Sequence, residues 1–202
     1  MPDAGRVVTG SAGGLRLVAP GGGTRPLADK VKQALFSLVE AELPEAWEGA
    51  ALDLFAGSGA AGIEALSRGA PMALLVERDG RAAAVIKANL ERTGLAGRAR
   101  IVRRDVRAFL ADGPSGVGEA PFATVVIDPP YEQAADLDAS LEAVGGAGEG
   151  WLSVSACVVA KHFWRHAPPE QAGQLRRIRQ RRFGETVLSV YRRRPAQEPG
   201  GS

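Results

Sequence analysis

The stretch LDLFAGSGAAGIEAL, residues 52–66, decides the fold of this chain. It reads as an apolar strand, a turn at residues 57–62 with the pattern G-x-G-x-x-G, and the start of a helix. In open α/β sheets, ligands bind at the carboxyl ends of the strands, which is where this turn falls. The stretch therefore predicts a parallel sheet whose first strand–helix turn holds a ligand, rather than a turn with only a structural role.

Strands and helices alternate along the rest of the chain. The expected strands are residues 51–55, 72–77, 98–102, 122–127 and 155–160, followed by an antiparallel pair at 175–183 and 185–192, and the expected helices are 60–67, 81–92, 106–110 and 136–144. Near-continuous apolar strands are typical of a parallel sheet covered on both faces. The alternation predicts an α/β fold with a doubly wound, mostly parallel, seven-stranded, Rossmann-like sheet.

A small N-terminal unit precedes this sheet. RVV (6–8) and LRLV (15–18) flank the turn TGSAGG and predict a short hairpin. The apolar positions of Leu27–Leu43 have the spacing of an amphipathic helix. We therefore expect three parts: a hairpin with the segment that leads into the helix (1–26), the main domain (27–194) and a disordered tail (195–202).

The composition is that of an ordinary globular protein. The 202 residues are 45% hydrophobic and 24% charged, enough for one domain with a substantial core. No apolar run approaches the ~20 residues needed to span a bilayer, and the opening MPDAGRVVTG lacks the layout of a signal peptide. The single cysteine, Cys157, excludes an intrachain disulfide and a multi-cysteine metal site. We expect a cytoplasmic protein.

The charge is distributed unevenly. The net charge is only +2, but residues 161–194 carry ten Lys or Arg against two Glu, so this segment is +8 and the remainder is −6. Such asymmetry favours an acidic partner for the C-terminal part, nucleic acid above all. Protection of an edge strand by charge is the alternative interpretation.

Asp53, four residues before Gly57, indicates which of the possible ligands this glycine turn holds. A pyrophosphate on this turn, as in NAD, would meet the Asp53 carboxylate at close range, which is unfavourable in a low dielectric. A ligand with an ammonium group would gain an ion pair instead, and S-adenosylmethionine (SAM) carries that group and no phosphate. Glu77, at the end of the second strand of the sheet, can accept hydrogen bonds from ribose hydroxyls of either cofactor.

Asp105 follows the third strand of the sheet and is placed to meet an adenine amino group, with Val106 beside the ring. The same carboxylate can cap the helix at residues 106–110, and the two roles can coexist. The turn at residues 57–62 lacks the lysine of a phosphate-binding loop, so hydrolysis of nucleoside triphosphates is not expected.

The stretch VVIDPPYE (125–132) carries a second motif at a strand end. Two consecutive prolines cannot donate backbone hydrogen bonds, and they restrict Asp128 to an extended conformation. The Asp128 carboxylate and the Pro129 carbonyl are both acceptors, which suits an exocyclic amino group on a planar base, and Tyr131 can stack on that base. A simple turn that ends a strand is the alternative.

With these motifs in place, the chain resembles the RsmD-type rRNA methyltransferases over roughly residues 6–192. The resemblance rests on GGLRLVAP (13–20), DKVKQALFSLV (29–39), LLVERD (74–79) and VVIDPPY (125–131), besides the opening stretch. It implies SAM-dependent methylation of the N2 amino group of a guanine in bacterial small-subunit (16S) ribosomal RNA, with no metal. Because 202 residues leave no room for a separate recognition domain, a target within an assembling 30S subunit is favoured.

The resemblance also assigns residues to the site. Asp53, Ala56, Gly57, Ser58, Gly59, Glu77 and Asp105 match cofactor positions, with Arg78 and Val106 beside them; Asp128, Pro129, Pro130 and Tyr131 match the catalytic corner; Arg25 and Pro26 match a motif near the site. Lys30, Arg181 and Arg182 are candidate contacts to RNA phosphates. The chain departs from the family pattern at Leu27, where threonine is usual, and at Lys161, where a glutamate is common.

Other functions fit part of these features. A DNA amino methyltransferase acting on adenine N6 or cytosine N4 would use the same Asp-Pro-Pro-Tyr corner. An RNA-binding assembly factor could keep the fold without turnover, and an NAD dehydrogenase would need a catalytic His or Lys at a strand end, of which there is no clear candidate. Cys157, in an apolar strand, is expected to be a core residue, and His162 and His166 lack the partners of a metal site.

Overall fold

The computed structural model describes residues 3–21, 28–42, 47, 49–146 and 150–193. In these residues the strands are β1 (Asp3–Arg6), β2 (Arg16–Val18), β3 (Ala51–Leu54), β4 (Ala73–Val76), β5 (Ala99–Val102), β6 (Phe122–Ile127), β7 (Leu152–Phe163), β8 (Gln171–Ala172), β9 (Leu175–Phe183) and β10 (Thr186–Arg193). The α-helices are α1 (Asp29–Glu42), α2 (Ala60–Arg68), α3 (Gly80–Thr93), α4 (Val106–Ala111) and α5 (Ala134–Gly145).

The main sheet has the order β5-β4-β3-β6-β7-β10-β9-β8. The strands from β5 to β7 are parallel, and β10, β9 and β8 complete the sheet with antiparallel pairings. The chain order reverses between β3 and β6, which is the switch point where ligands bind in doubly wound folds. The doubly wound, mostly parallel α/β fold predicted from the sequence is confirmed.

The described part of this sheet has eight strands rather than the seven expected. The additional strand, β8, is two residues long and pairs with the start of β9, Gln171 with Arg176 and Ala172 with Leu175. Gly173, with φ of 54°, provides the left-handed backbone that the tight turn requires. Two residues are too few for a period-2 pattern to reveal a strand.

The N-terminal hairpin forms, but its first strand lies earlier than expected. Asp3 pairs with Val18 and Arg6 with Arg16, so β1 covers residues 3–6 rather than the expected 6–8, although Val7 still exchanges backbone hydrogen bonds with Leu15 and Gly14. The amide groups of the following residues, Val8 and Thr9, instead donate to the Glu64 carboxylate in α2, at 2.6 and 3.1 Å. A side chain 56 positions away therefore holds the chain just after it leaves the hairpin pairing.

Helices cover both faces of the sheet. One buried cluster joins the hairpin with α1, α2 and α3, and the other lies under α4 and α5. The helix expected at 27–43 is described from Asp29 to Glu42, and its apolar face is buried through Leu35, Phe36 and Val39. Lys32 is buried on the same helix and donates from Nζ to the Arg6 carbonyl at 2.5 Å, which ties α1 to the hairpin.

Several expected features lie outside the described residues. They are Arg25, Pro26 and Leu27, the boundary between residues 26 and 27, and the tail 195–202. Within the described ranges, none of the helices combines the length and the apolar character that crossing a membrane requires.

Candidate active site

A cavity of about 1050 Å³ opens at the carboxyl ends of the central parallel strands. Asp53 is the last residue but one of β3, Glu77 follows β4, Asp105 follows β5 and Asp128 follows β6, and all four residues line this cavity. Parallel strands end at one edge of the sheet, so residues far apart in sequence meet there. Of the sequence-predicted cofactor and catalytic residues, the cavity lining includes Asp53, Ala56, Gly57, Ser58, Glu77, Arg78, Asp105, Val106, Asp128, Pro129, Pro130 and Tyr131.

The glycine turn is shaped by its backbone and by packing. Gly57 and Gly59 have positive φ angles of 56° and 77°, a region that favours glycine. A Cβ on Gly62 would lie 2.7 Å from Leu75 Cδ2, and one on Gly59 would lie 3.1 Å from Ile86 Cγ2. These two glycines therefore let α2 pack closely on the sheet and on α3, while the amide of Gly57 faces the cavity side and donates to Glu77 Oε2 at 2.8 Å.

Asp53 is a buried carboxylate with one backbone partner. The residue is 2% exposed, and its Oδ2 accepts a hydrogen bond of 2.8 Å from the amide of Gly62. Burial, opposed by the Gly62 hydrogen bond and reinforced by the nearby Asp128 and Glu77 carboxylates, raises the pKa of Asp53 to about 7. A cation placed in the cavity beside Asp53 would relieve this unfavourable negative charge.

Glu77 is oriented by two backbone amides. Its Oε2 accepts from Gly57 and its Oε1 from Asp79, both at 2.8 Å. Each carboxylate oxygen has two lone pairs, so both oxygens keep an acceptor position for a ligand hydroxyl. Asp79 in turn caps α3 by accepting from the amides of Arg81 and Ala82, so the glycine turn, the β4 end and α3 are fixed to one another.

Asp105 serves as the N-cap of α4. Its Oδ1 accepts from the amides of Arg107 and Ala108 at 3.0 and 3.2 Å, the capping role considered from the sequence. Its Oδ2 lies 3.7 Å from Arg78 Nη1 and faces the same cavity. Val106 is 3% exposed and contributes an apolar wall beside this carboxylate.

The corner formed by Asp128 to Tyr131 begins where β6 ends. The amide of Asp128 donates to the Leu54 carbonyl of β3 at 3.4 Å, which holds the corner against the neighbouring strand. The hydroxyl groups of Tyr131 and Thr186 share a hydrogen bond of 2.6 Å, and the Tyr131 ring lies 5.6 Å from that of Phe163. The Tyr131 ring is therefore held in place by contacts with β7 and β10 as well as by its own turn.

Lys161 joins this corner, and the sequence reasoning noted it only as a departure from a family pattern. Its Nζ donates to Asp128 Oδ1 and lies 4.9 Å from the centre of the Tyr131 ring. Burial raises the pKa of the Asp128 carboxyl, and the Lys161 ammonium opposes that rise. The register explains the contact: Ile127 pairs with Ala160 across β6 and β7, so Asp128, just after β6, lies beside Lys161 of β7.

The predicted RNA-contact residues that the structure describes do not line this cavity. Lys30 lies on the exposed side of α1, whereas Ala28 and Val31 from the same segment line the cavity. Arg181 and Arg182 are exposed on β9, where their guanidinium groups contact Phe183 and Trp164. Gly59 belongs to the turn but is not among the described lining residues.

Cys157 and the two histidines have structural surroundings. Cys157 is fully buried, as expected for a core residue, and burial raises the pKa of its thiol to about 12. His162 contacts Ser189 Oγ at 2.9 Å, and His166 lies 3.0 Å from Asp138. Among the described residues, no group of three or more His, Cys, Asp or Glu side chains is arranged to hold a metal ion.

A doubly wound sheet with acidic strand ends, a glycine turn and an Asp-Pro-Pro-Tyr corner in one cavity defines an α/β methyltransferase. Comparison with known proteins agrees with this class. The family model described as "Conserved hypothetical protein 95" matches residues 5–192, so the chain belongs to that family.

The similarity to named relatives extends over nearly the whole chain. "Putative rRNA methyltransferase YlbH" of Bacillus subtilis is 36% identical over 190 residues, which are 94% of this chain and 99% of that protein. "Ribosomal RNA small subunit methyltransferase D" of Escherichia coli is 31% identical over 189 residues, 93% and 89% of the two chains. The solved structure "Putative methyltransferase yhhF from Escherichia coli" is 31% identical, has a TM-score of 0.76 and covers 94% of this chain and 97% of its own. The resemblance drawn from the sequence motifs is confirmed.

Proposed function

We propose that this protein transfers a methyl group from SAM to the N2 amino group of a guanine in small-subunit ribosomal RNA. One observation carries the proposal: the Asp128 carboxylate, in its Pro-Pro-Tyr corner, shares one cavity with Asp53 and Glu77. The cavity thus combines acceptors for an amino group with carboxylates suited to a cationic cofactor. The names of the relatives, which are ribosomal RNA methyltransferases, support RNA as the substrate.

The chemistry of the cavity fits SAM better than a dinucleotide. Asp53 would pair with the cofactor's ammonium group, Glu77 would accept from the ribose hydroxyls, and Asp105 with Val106 would hold the adenine. Burial and neighbouring carboxylates already raise the pKa of Asp53 to about 7, so a positively charged ligand is stabilised there and a pyrophosphate is opposed.

The chain's own residues position the target amino group. Lys161 engages Oδ1 of Asp128, which leaves Oδ2 to accept an N–H of the base and to draw off its proton. The Pro129 carbonyl supplies a second acceptor, and the Tyr131 ring supports the base by stacking. When bound, SAM supplies an electrophilic methyl group on its sulfonium. Catalysis then consists mainly of orientation at short range, with no covalent enzyme intermediate.

The target base must leave its helix or be unpaired to reach this cavity. We further propose that the substrate is presented by an assembling 30S subunit in the cytoplasm, and that no metal takes part. A DNA amino methyltransferase and a non-catalytic assembly factor are the alternative functions.

Transfer of label from SAM separates these functions. The wild-type protein is incubated with methyl-labelled SAM and, in separate reactions, with undermethylated 30S subunits, naked 16S rRNA and duplex DNA. We expect label in RNA and none in duplex DNA. Label in duplex DNA alone would favour a DNA methyltransferase, and SAM binding without transfer to any of the substrates would favour an assembly factor.

A further inference from the structure

A cluster of aromatic and arginine side chains lies beside the cavity at the ends of β7 and β9. We define this aromatic–arginine cluster as Phe163, Trp164, Arg165, Arg181, Arg182 and Phe183. The Arg182 guanidinium lies 4.4 Å and that of Arg165 4.9 Å from the centre of the Trp164 ring. The Arg181 guanidinium lies 5.3 Å from the Phe183 ring. Three cations are thus held on aromatic faces, a geometry that favours arginine over lysine.

The arginines of this cluster are not neutralised by carboxylates within the described part of the chain. Two other arginines of β9 do have carboxylate partners, since Arg177 lies 2.8 Å from Glu170 and Arg179 lies 3.7 Å from Glu42, and Arg192 of β10 lies 3.8 Å from Glu42. None of the three cluster arginines has a described carboxylate oxygen within 4 Å. All three are exposed, so their charge is available to an anionic partner.

The backbone of Trp164 and the Arg182 guanidinium beside its ring are held in place, while the Trp164 side chain remains accessible. The Trp164 amide donates to the Glu185 carbonyl at 2.9 Å, and Arg182 Nε donates to the Gly184 carbonyl at 2.7 Å, so both sides of the turn hold the stack. Trp164 is nevertheless 38% exposed. Protection of the β9 edge would need only charge, and it does not explain an exposed indole stacked with guanidinium groups.

The cluster is continuous with the catalytic corner. The ring centres of Tyr131 and Phe163 lie 5.6 Å apart, and those of Phe163 and Trp164 lie 6.0 Å apart. Aromatic rings therefore lead from the cavity to the exposed guanidinium groups without a gap. If the target base of an RNA strand enters the cavity at Tyr131, the neighbouring nucleotides of that RNA would lie over Trp164 and the cluster arginines.

We propose that the aromatic–arginine cluster binds the single-stranded RNA that flanks the target nucleotide. A flanking base stacks on the Trp164–Arg182 platform, and the guanidinium groups contact the adjacent phosphates. This inference rests on the proposed function and assigns to that reaction a second contact region outside the cofactor cavity. Guanidinium planes and indoles are the surfaces on which unpaired RNA bases stack.

Variants of the full-length protein test the platform. The probe is a fluorescent single-stranded RNA oligonucleotide with one central guanine, and affinity is measured for wild type and for Trp164→Ala, Trp164→Phe and Arg182→Ala. We expect Trp164→Ala to weaken binding by about fivefold to 150-fold, the range for loss of one base–aromatic stack. Trp164→Phe keeps an aromatic ring and should retain much of the affinity. Arg182→Ala should also reduce the slope of log affinity against log salt by about one.

The matched control is Lys87→Ala, which removes an exposed cation on α3, with 74% of the side chain exposed. It should leave RNA affinity unchanged, and all variants should bind SAM as wild type does, which shows that they fold. Wild-type RNA affinity in Trp164→Ala and Arg182→Ala, or an equal loss in Lys87→Ala, would overturn the inference while leaving the proposed transfer reaction intact. The proposed function fails by a different result, namely absence of methyl transfer to RNA by the wild-type protein.

Discussion

Lys161 of β7 and Asp128 form an ion pair at the point where the adjacent parallel strand β6 ends. The side chains are 14% and 22% exposed, so the pair lies mostly out of solvent at the wall of the cavity. The cation occupies one oxygen of the carboxylate that we assign to the target amino group, and it contacts the Tyr131 ring. The charge of Asp128 is therefore controlled by a residue of the neighbouring strand.

Removing that cation should shift the pH dependence of methyl transfer. Burial raises the pKa of Asp128 and Lys161 opposes the rise, so Lys161→Met should raise it further. The ionised carboxylate is then lost at a higher pH, and the acidic limb of the rate profile should move to higher pH. Lys161→Arg keeps the charge and should give a smaller shift. Superimposable profiles for wild type and Lys161→Met, measured as kcat, would show that Lys161 does not set the charge of Asp128.

Removing the carboxylate itself should separate binding from chemistry. Asp128→Ala lacks the acceptor for the amino group, and we expect the rate of transfer to fall by about 10²- to 10⁴-fold, the usual range for loss of a group that assists proton transfer. SAM affinity, measured by calorimetry, should change little because Asp53 and Glu77 remain. An Asp128→Ala protein with wild-type turnover would remove Asp128 from the role assigned to it.

SAM binding should weaken as the pH falls below about 7. Asp53 in the free protein has its pKa raised to about 7, and a bound ammonium group would lower that pKa, so binding releases a proton. Affinity should therefore be highest above this pH and decrease below it by up to about tenfold per pH unit. In Asp53→Asn, affinity should be lower and this part of the pH dependence should be absent. Titration calorimetry across the range measures both.

The glycine turn should tolerate no side chain at its third glycine. A Cβ on Gly62 would lie 2.7 Å from Leu75 Cδ2, and overpacking of this kind costs about 1–3 kcal/mol. Gly62→Ala should lower the free energy of unfolding by that amount in urea titrations. Gly97→Ala, where an added Cβ meets nothing within 4 Å, is the matched control and should be near neutral. Equal stability of the two variants would contradict the packing role of Gly62.

Sequence patterns predicted the carboxyl ends of β3, β4, β5 and β6 to within one residue because each is a local signal, whereas β7, expected at 155–160, extends from Leu152 to Phe163. Glycine at residues 57–62, a buried apolar strand before Asp128 and an acidic residue after β4 each follow from a few neighbouring residues, and the parallel sheet brings them to one edge. The doubly wound α/β architecture was predicted from the alternation of strands and helices along the chain.

Features that depend on distant partners could not be predicted this way. The amides of Val8 and Thr9, at the end of the expected first hairpin strand, donate to Glu64 of α2. Lys32 is buried on an apolar helix face because the Arg6 carbonyl accepts from it. The role of Lys161 became visible only from the register of β6 and β7, since a single lysine in a strand carries no local signature.

The most direct test of the proposed function is the identity of the methylated nucleoside. Undermethylated 30S subunits are incubated with SAM and wild-type protein or Asp128→Ala, the RNA is digested to nucleosides, and the products are separated by chromatography with mass spectrometry. We expect N2-methylguanosine with the wild type and only a trace with Asp128→Ala. A different methylated nucleoside, or equal product from the two proteins, would contradict the assignment of this cavity to guanine N2.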